Sequence, residues 1–336
     1  MKNYISSLFI LCILFSSCDN GDSSENLQGN WIKQSSFDGR LRDGAVCFVI
    51  DNYAYVGTGD DSDNYLVDFR KYDAKNDSWS YKSEVANLPG LARKSAVAFS
   101  AGGKGYVGLG YSKDVNSLDD FWEYNPTSNT WSQIANFPGA ARREAIAFGI
   151  NNYGYVGTGY DYINKHELND FYKYNSISGA WDFIGYNGKI RQGATSFVIN
   201  NKAYICFGRN NEIPVNDFYM FDPISEKWTQ LENLDSGSHN DGELLRYNAV
   251  SFAINGKAYI ASGANGSLKR DVWEYNPEKK KWLEKTGLEN EIASRNFAIG
   301  FTVHNRGFLT TGSASGLRLD DLWEFNPNMS VSDQDN

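Results

Sequence analysis

The sequence predicts an all-β fold, a six-bladed β-propeller whose last blade is closed by the N-terminal strand. Three observations predict it. A glycine recurs six times, at Gly59, Gly110, Gly159, Gly208, Gly263 and Gly312, each after a short aromatic-aliphatic run. An aspartate follows each one, at Asp68, Asp120, Asp170, Asp217, Asp271 and Asp321, and five of these have a tryptophan 11 residues later: Trp79, Trp131, Trp181, Trp228 and Trp282. The sixth place is Ser332, close to the chain's end, while a spare tryptophan, Trp31, stands near the start. A repeat lacking its last strand at one terminus, with that strand left over at the other, describes a ring closed by its own ends.

The N-terminus reads as an address rather than structure. Lys2 precedes an apolar run from Tyr4 to Phe15, too short to span a bilayer as a stable helix. It ends in Phe15-Ser16-Ser17-Cys18, which resembles a bacterial lipobox with Phe in place of the usual Leu. The expectation is a lipoprotein signal over 1–17, acylated Cys18, and a polar tether over 18–28. A multi-acyl anchor gives lasting attachment, since each buried CH₂ is worth roughly 0.8 kcal/mol. The implied place is the bacterial cell envelope, lipid-anchored at the outer membrane; the acidic residues after Cys18 resemble a surface-export signal. An ordinary secretory signal with a chance cysteine is the alternative.

The propeller is expected over 29–327. The third repeat shows how one blade is built. Ala145 to Ile150 is a short apolar run fit for an inner strand, and its small residues suit the crowded wall of a central channel. Asn151-Asn152 signals a turn. Tyr153 to Gly157 alternates as a second strand, and a polar loop follows Gly159. Asp170 to Tyr174 gives a third strand of period two, Asn175 to Gly179 turns again, and Trp181 opens the outer strand. Radial repetition of this kind leaves only short, protected strand edges. Residues 328–336 read as a disordered tail.

These residues carry a family resemblance. The glycine after strand two, the Tyr or Phe seven residues before the Trp, and the Trp itself make the chain similar to kelch-repeat propellers. Kelch repeats usually show two adjacent glycines; here only the second is kept in all six. The resemblance implies two enzymatic relatives by fold. Galactose oxidase uses copper held by His and Tyr, but this chain has only His166, His239 and His304, and the expectation is no cofactor. N-acetylneuraminate epimerase implies an arginine for the sugar carboxylate and a general acid/base, which Glu144, Glu243 and the recurring arginines can supply.

Those arginines are Arg42, Arg93, Arg142, Arg191, Arg246 and Arg295, each 17 residues before its blade's glycine. Either they converge on an anion such as a carboxylate, or each bonds backbone carbonyls or a neighbouring blade's acid. The Arg-to-Gly and Asp-to-Trp segments never change length. Gly-to-Asp runs 9, 10, 11, 9, 8 and 9 residues, and Trp-to-Arg runs 11, 14, 11, 10, 18 and 13. Since strands in a blade alternate direction, both variable connections lie on one face, the expected working face. Its loops hold Tyr65, Tyr111, Tyr160, Tyr162 and His166, aromatic platforms for a sugar or peptide. The longest insertion holds His239, Asp241 and Glu243 and suggests a lid. The recurring aspartates read as turn caps, and Asp60-Asp61-Ser62-Asp63-Asn64 hints weakly at calcium.

Composition narrows the partners. A net charge of -9 and a pI near 5.0 argue against non-specific nucleic-acid binding. Nothing resembles a Ser/His/Asp order, a zinc spacing or a phosphate loop. Cys47 and Cys206 sit in strand patterns as small hydrophobes. The reading is an envelope binding module for a glycan or protein ligand, possibly anionic, with a sialic-acid epimerase or mutarotase as the alternative.

Overall fold

A computed structural model describes residues 27–235 and 243–329. The signal segment, Cys18, most of the tether, His239, Asp241 and most of the tail lie outside the described residues. Within them the chain forms six four-stranded antiparallel sheets arranged as blades around one axis. In blade three the strands are Ile146–Ile150, Tyr153–Gly157, Phe171–Asn175 and Ala180–Phe183, in that order from the axis outward. The other blades repeat this order.

Closure follows the expected route. Asn30–Gln34 pairs antiparallel with Leu322–Asn326 and becomes the outer strand of blade six, with Trp31 opposite Phe325. Trp31 is 1% exposed and packs on Phe252 of blade five, at 6.1 Å between ring centres, and on Phe325 at 5.0 Å. The next segment continues the seam, because Trp79 of blade one donates its indole N–H to Ser35 O at 2.9 Å. The same bond recurs from Trp131 to Ala86 O and from Trp228 to Gly185 O. With Trp181 to Ala135 O, four outer-strand tryptophans tie their blades to the segment arriving from the one before.

The inner strands alternate buried and half-buried residues because one side packs into the blade and the other lines the channel. Small side chains make that wall possible. Ala45, Ala96, Ala145, Ala194, Ala249 and Ala298 stand at one level, one per blade, around a cavity of about 190 Å³. Cys47 belongs to the same wall, while Cys206 is fully buried behind it. Both thiols are free, and burial pushes both well above the usual thiol range.

Candidate functional site

The six arginines are architecture, a correction to their reading as ligand groups. Every one is 0% exposed and points into its own blade. Arg93 shows the pattern. Its Nε donates to Leu91 O at 2.9 Å, one terminal nitrogen reaches Leu109 O at 3.2 Å, and both terminal nitrogens grip Asp120 at 2.6 and 2.8 Å. The other five make the same kinds of bond to Asp68, Asp170, Asp217, Asp271 and Asp321. The acid comes from the same blade, not a neighbouring one. Thus the recurring Arg and the recurring Asp are each other's partners. Burial alone would raise the carboxyls of Asp68, Asp120, Asp271 and Asp321, but their arginines outweigh it and hold them below the usual range. An indole N–H adds to this at Trp122, Trp273 and Trp323.

The residue after each arginine is not repeated. These positions are Asp43, Lys94, Arg143, Gln192, Tyr247 and Asn296, different in every blade. Each pairs across a short bridge with the residue after the blade's glycine: Asp60, Tyr111, Tyr160, Arg209, Ala264 and Ser313. One step further lie Gly44, Ser95, Glu144, Gly193, Asn248 and Phe297, which ring a cavity of about 150 Å³ at the variable-face end of the channel. All six have positive φ, between 51° and 62°. That conformation lets each N–H turn toward the preceding blade, as in Glu144 N to Ser95 O at 3.1 Å and Asn248 N to Gly193 O at 2.8 Å. Glycine adopts it freely in blades one and four. Glu144 and Phe297 hold it at a cost of about 1–3 kcal/mol each, the kind of local strain that clusters at ligand sites.

Four predicted tyrosines come together on this rim. Tyr65 meets Tyr111 edge-on at 5.7 Å. Lys94 and Lys113 lie 5.2 and 5.1 Å from the Tyr65 ring. Arg143 is within 5.4 Å of Tyr111, 5.3 Å of Tyr160 and 5.6 Å of Tyr162. The Nε atoms of Arg143 and Arg209 are buried and have no hydrogen-bond partner among the described residues. Arg209 stacks on Tyr247 at 4.5 Å and approaches Glu144 at 3.4 Å. Burial pushes the Glu144 carboxyl up, against the opposing charges of Arg209 and Arg143.

Other candidates fall elsewhere. Glu243 is exposed, and its backbone oxygen accepts from Arg246 at 3.3 Å. His166 is exposed on the blade-three hairpin opposite Asp161, and His304 sits on the opposite face. The calcium hint is occupied by the protein's own groups. Asp60 takes Lys94 and Arg318, while Asp61 accepts the N–H groups of Asp63 and Asn64 and the Arg40 guanidinium. Among the described residues no three His, Cys, Asp or Glu side chains converge on a metal position. Lys94, Arg143, Arg209 and Asn248 were not singled out from the sequence. Aligning the repeats and comparing the two columns after each arginine exposes Lys94, Arg143 and Asn248, and the column after each glycine exposes Arg209.

Comparisons with known proteins agree with the architecture. Residues 105–138 and 190–234 match the kelch motif. Over 146 residues the chain is 25% identical to an N-(sulfonatooxy)prop-2-enimidothioate sulfolyase of Thlaspi arvense, covering 40% of this chain and 41% of that protein. It is 34% identical over 89 residues to an N-acetylneuraminate epimerase of Yersinia enterocolitica, covering 24% and 21%. Kelch-like protein 23 of Pongo abelii matches at 24% over 279 residues, 81% of this chain and 47% of that protein. The chain thus spans less than half the length of each of these curated relatives. The solved structure of YjhT superposes with a TM-score of 0.70 at 16% identity, covering 86% of this chain and 95% of that one, a likeness of fold.

Proposed function

We propose that this kelch-repeat propeller is a lipid-anchored protein of the bacterial cell envelope that binds an acidic glycan at the mouth of its variable face. The observation that carries the reading is the rim cluster, in which Lys94, Lys113 and Arg143 stand among Tyr65, Tyr111, Tyr160 and Tyr162. Tyrosine faces stack on the apolar faces of sugar rings, and guanidinium and ammonium groups pair with a sugar carboxylate. The buried Nε atoms of Arg143 and Arg209 are donors that a ligand oxygen would satisfy. The anchor rests on Cys18 and the apolar segment before it. A glycan array tests the reading, with Arg143→Ala beside the wild type. Binding to carboxylate-bearing glycans that the variant loses is the expected result, and no binding to any acidic sugar would overturn it. Radiolabelled palmitate incorporation that disappears in Cys18→Ala checks the anchor.

Glu144 favours a second reading, turnover of the bound sugar. Burial raises its pKa, which favours a carboxyl that can donate a proton as well as accept one. Beside Arg209, such a group would serve proton transfer at the anomeric centre of a carboxylated sugar, the chemistry of an epimerase or mutarotase. An NMR anomerisation assay on N-acetylneuraminic acid decides between binding alone and turnover. A rate above background that is lost in Glu144→Gln supports the enzyme, and a background rate removes it.

A further inference from the structure

The rim does not end at Tyr65. That residue also lines a groove of about 620 Å³ on the outer side of blade one, together with Arg40, Asn64, Arg70, Lys82 and Asn87. Lys82 and Asn87 in turn border a second, shallower depression of about 790 Å³ that includes Tyr81. Two departures from the repeat account for this groove. The second residue after the recurring aspartate is aromatic in five blades, at Trp122, Tyr172, Tyr219, Trp273 and Trp323. Blade one has Arg70 there, so no ring fills the space, and its guanidinium bonds Asp38 O and Asp68 along the groove wall. The connection from Trp79 to Arg93 is also the longest of those described throughout, at 14 residues. Its extra length forms the short 3₁₀ turn Lys82–Glu84, which walls the groove's far side.

We propose that this groove is a second sugar subsite, so that the ligand is an acidic oligosaccharide rather than a single sugar. The inference rests on the mouth being the first subsite. Tyr65 joins the two, touching Tyr111, Lys94 and Lys113 on the mouth side. Beyond it the groove again sets basic and amide groups beside an aromatic ring, together with the exposed Asp38 and with Asp68, which Arg42 and Arg70 hold. Tyr81 is 73% exposed and offers a stacking face. Lys82 is exposed and makes no ion pair among the described residues, and Arg40 is 63% exposed beside Asp61. Asn64 and Asn87, both exposed, supply amide groups suited to sugar hydroxyls. A chain bridging both subsites binds the second at the high effective concentration that the first provides.

Calorimetry on the full mature chain, with N-acetylneuraminic acid and its linear tetramer as probes, tests this. The tetramer is expected to bind at least about tenfold more tightly than the monomer. Lys82→Glu and Tyr81→Ala, both exposed and outside the mouth, are expected to abolish that gain and leave monomer binding unchanged. Equal affinities for monomer and tetramer, or an unaltered gain in both variants, overturn the second subsite while the mouth stands. Loss of neither ligand in Arg143→Ala, or no binding of either to the wild type, overturns the mouth and the subsite together.

Discussion

Six arginines and the six residues that follow them occupy neighbouring positions just before the inner strands, yet they differ in kind. The arginines are identical in every blade, fully buried, and locked to an aspartate of their own blade. The residues one step on are all different, and those two steps on line the mouth. Repetition marks the interior because every blade must solve the same packing problem. On the proposed reading, variation marks the mouth, because a ligand has no sixfold symmetry. A ring of like charges is therefore a poor guide to a binding site here, whereas the columns beside it, where the blades disagree, are informative.

The largest test asks whether the architectural set is one unit. Deleting residues 29–34 removes the closing strand, including Trp31, whose truncation alone would cost about 3–5 kcal/mol. A domain of ordinary stability, about 5–15 kcal/mol, has little left after losing a whole strand. The expected outcome is loss of the cooperative thermal transition in near-ultraviolet circular dichroism, and a cooperative melt at the wild-type temperature would break the closure argument. Next comes Arg93→Ala, which strands Asp120 inside the blade and is expected to lower urea stability by about 3–5 kcal/mol. Arg143→Ala, one blade on and one step along, should stay within about 1 kcal/mol of wild type while weakening glycan binding by about tenfold or more. Similar stability losses in the two variants would erase the comparison.

Acid separates the two sets as well. Asp68, Asp120, Asp271 and Asp321 have carboxyls held below the usual range by their arginines. Their contribution to stability is fully present above the unfolded aspartate value of about 3.9 and is lost as pH falls through the lower folded values. Urea midpoints should therefore drop steeply below about pH 4, and a flat profile down to pH 2 would contradict the ion-paired ring.

The fold was legible because its determinants repeat. Glycine, aspartate and tryptophan at fixed spacing gave the blades, and the misplaced Trp31 gave the closure that the pairing with Phe325 bears out. Constant and variable segment lengths picked out the face that carries the mouth. Tyr65, Tyr111, Tyr160 and Tyr162 were visible as aromatics out of step with the repeat. The roles of the arginines were not legible, because a periodic charge looks the same whether it faces a ligand or a buried aspartate. Its partner was in view as an equally periodic residue, but 25–28 positions away, and only folding brings the two together. Arg209 and Asn248 occur once each, so no periodic signal pointed to them.

The finest test concerns Glu144, which belongs to the mouth by position and resembles the buried aspartates by enclosure. The difference lies in the partner. Each aspartate of the four is gripped at its oxygens by an arginine of its own blade, whereas Glu144 meets Arg209 only at 3.4 Å, and burial outweighs that attraction. Its folded pKa is raised, so between the unfolded value of about 4.3 and the folded one the native state holds the extra proton. Its contribution to stability is then fully present below about pH 4.3 and declines as pH rises toward the folded value, opposite in sign to the aspartates. Glu144→Gln, permanently neutral, should match wild type near pH 4 and be equally stable or up to about 1 kcal/mol more stable at pH 7. Urea unfolding of both proteins across pH 4–7 measures the difference. A variant less stable by more than about 1 kcal/mol at pH 7 would show that the Arg209 contact outweighs burial, and would place Glu144 with the architectural acids rather than with the mouth.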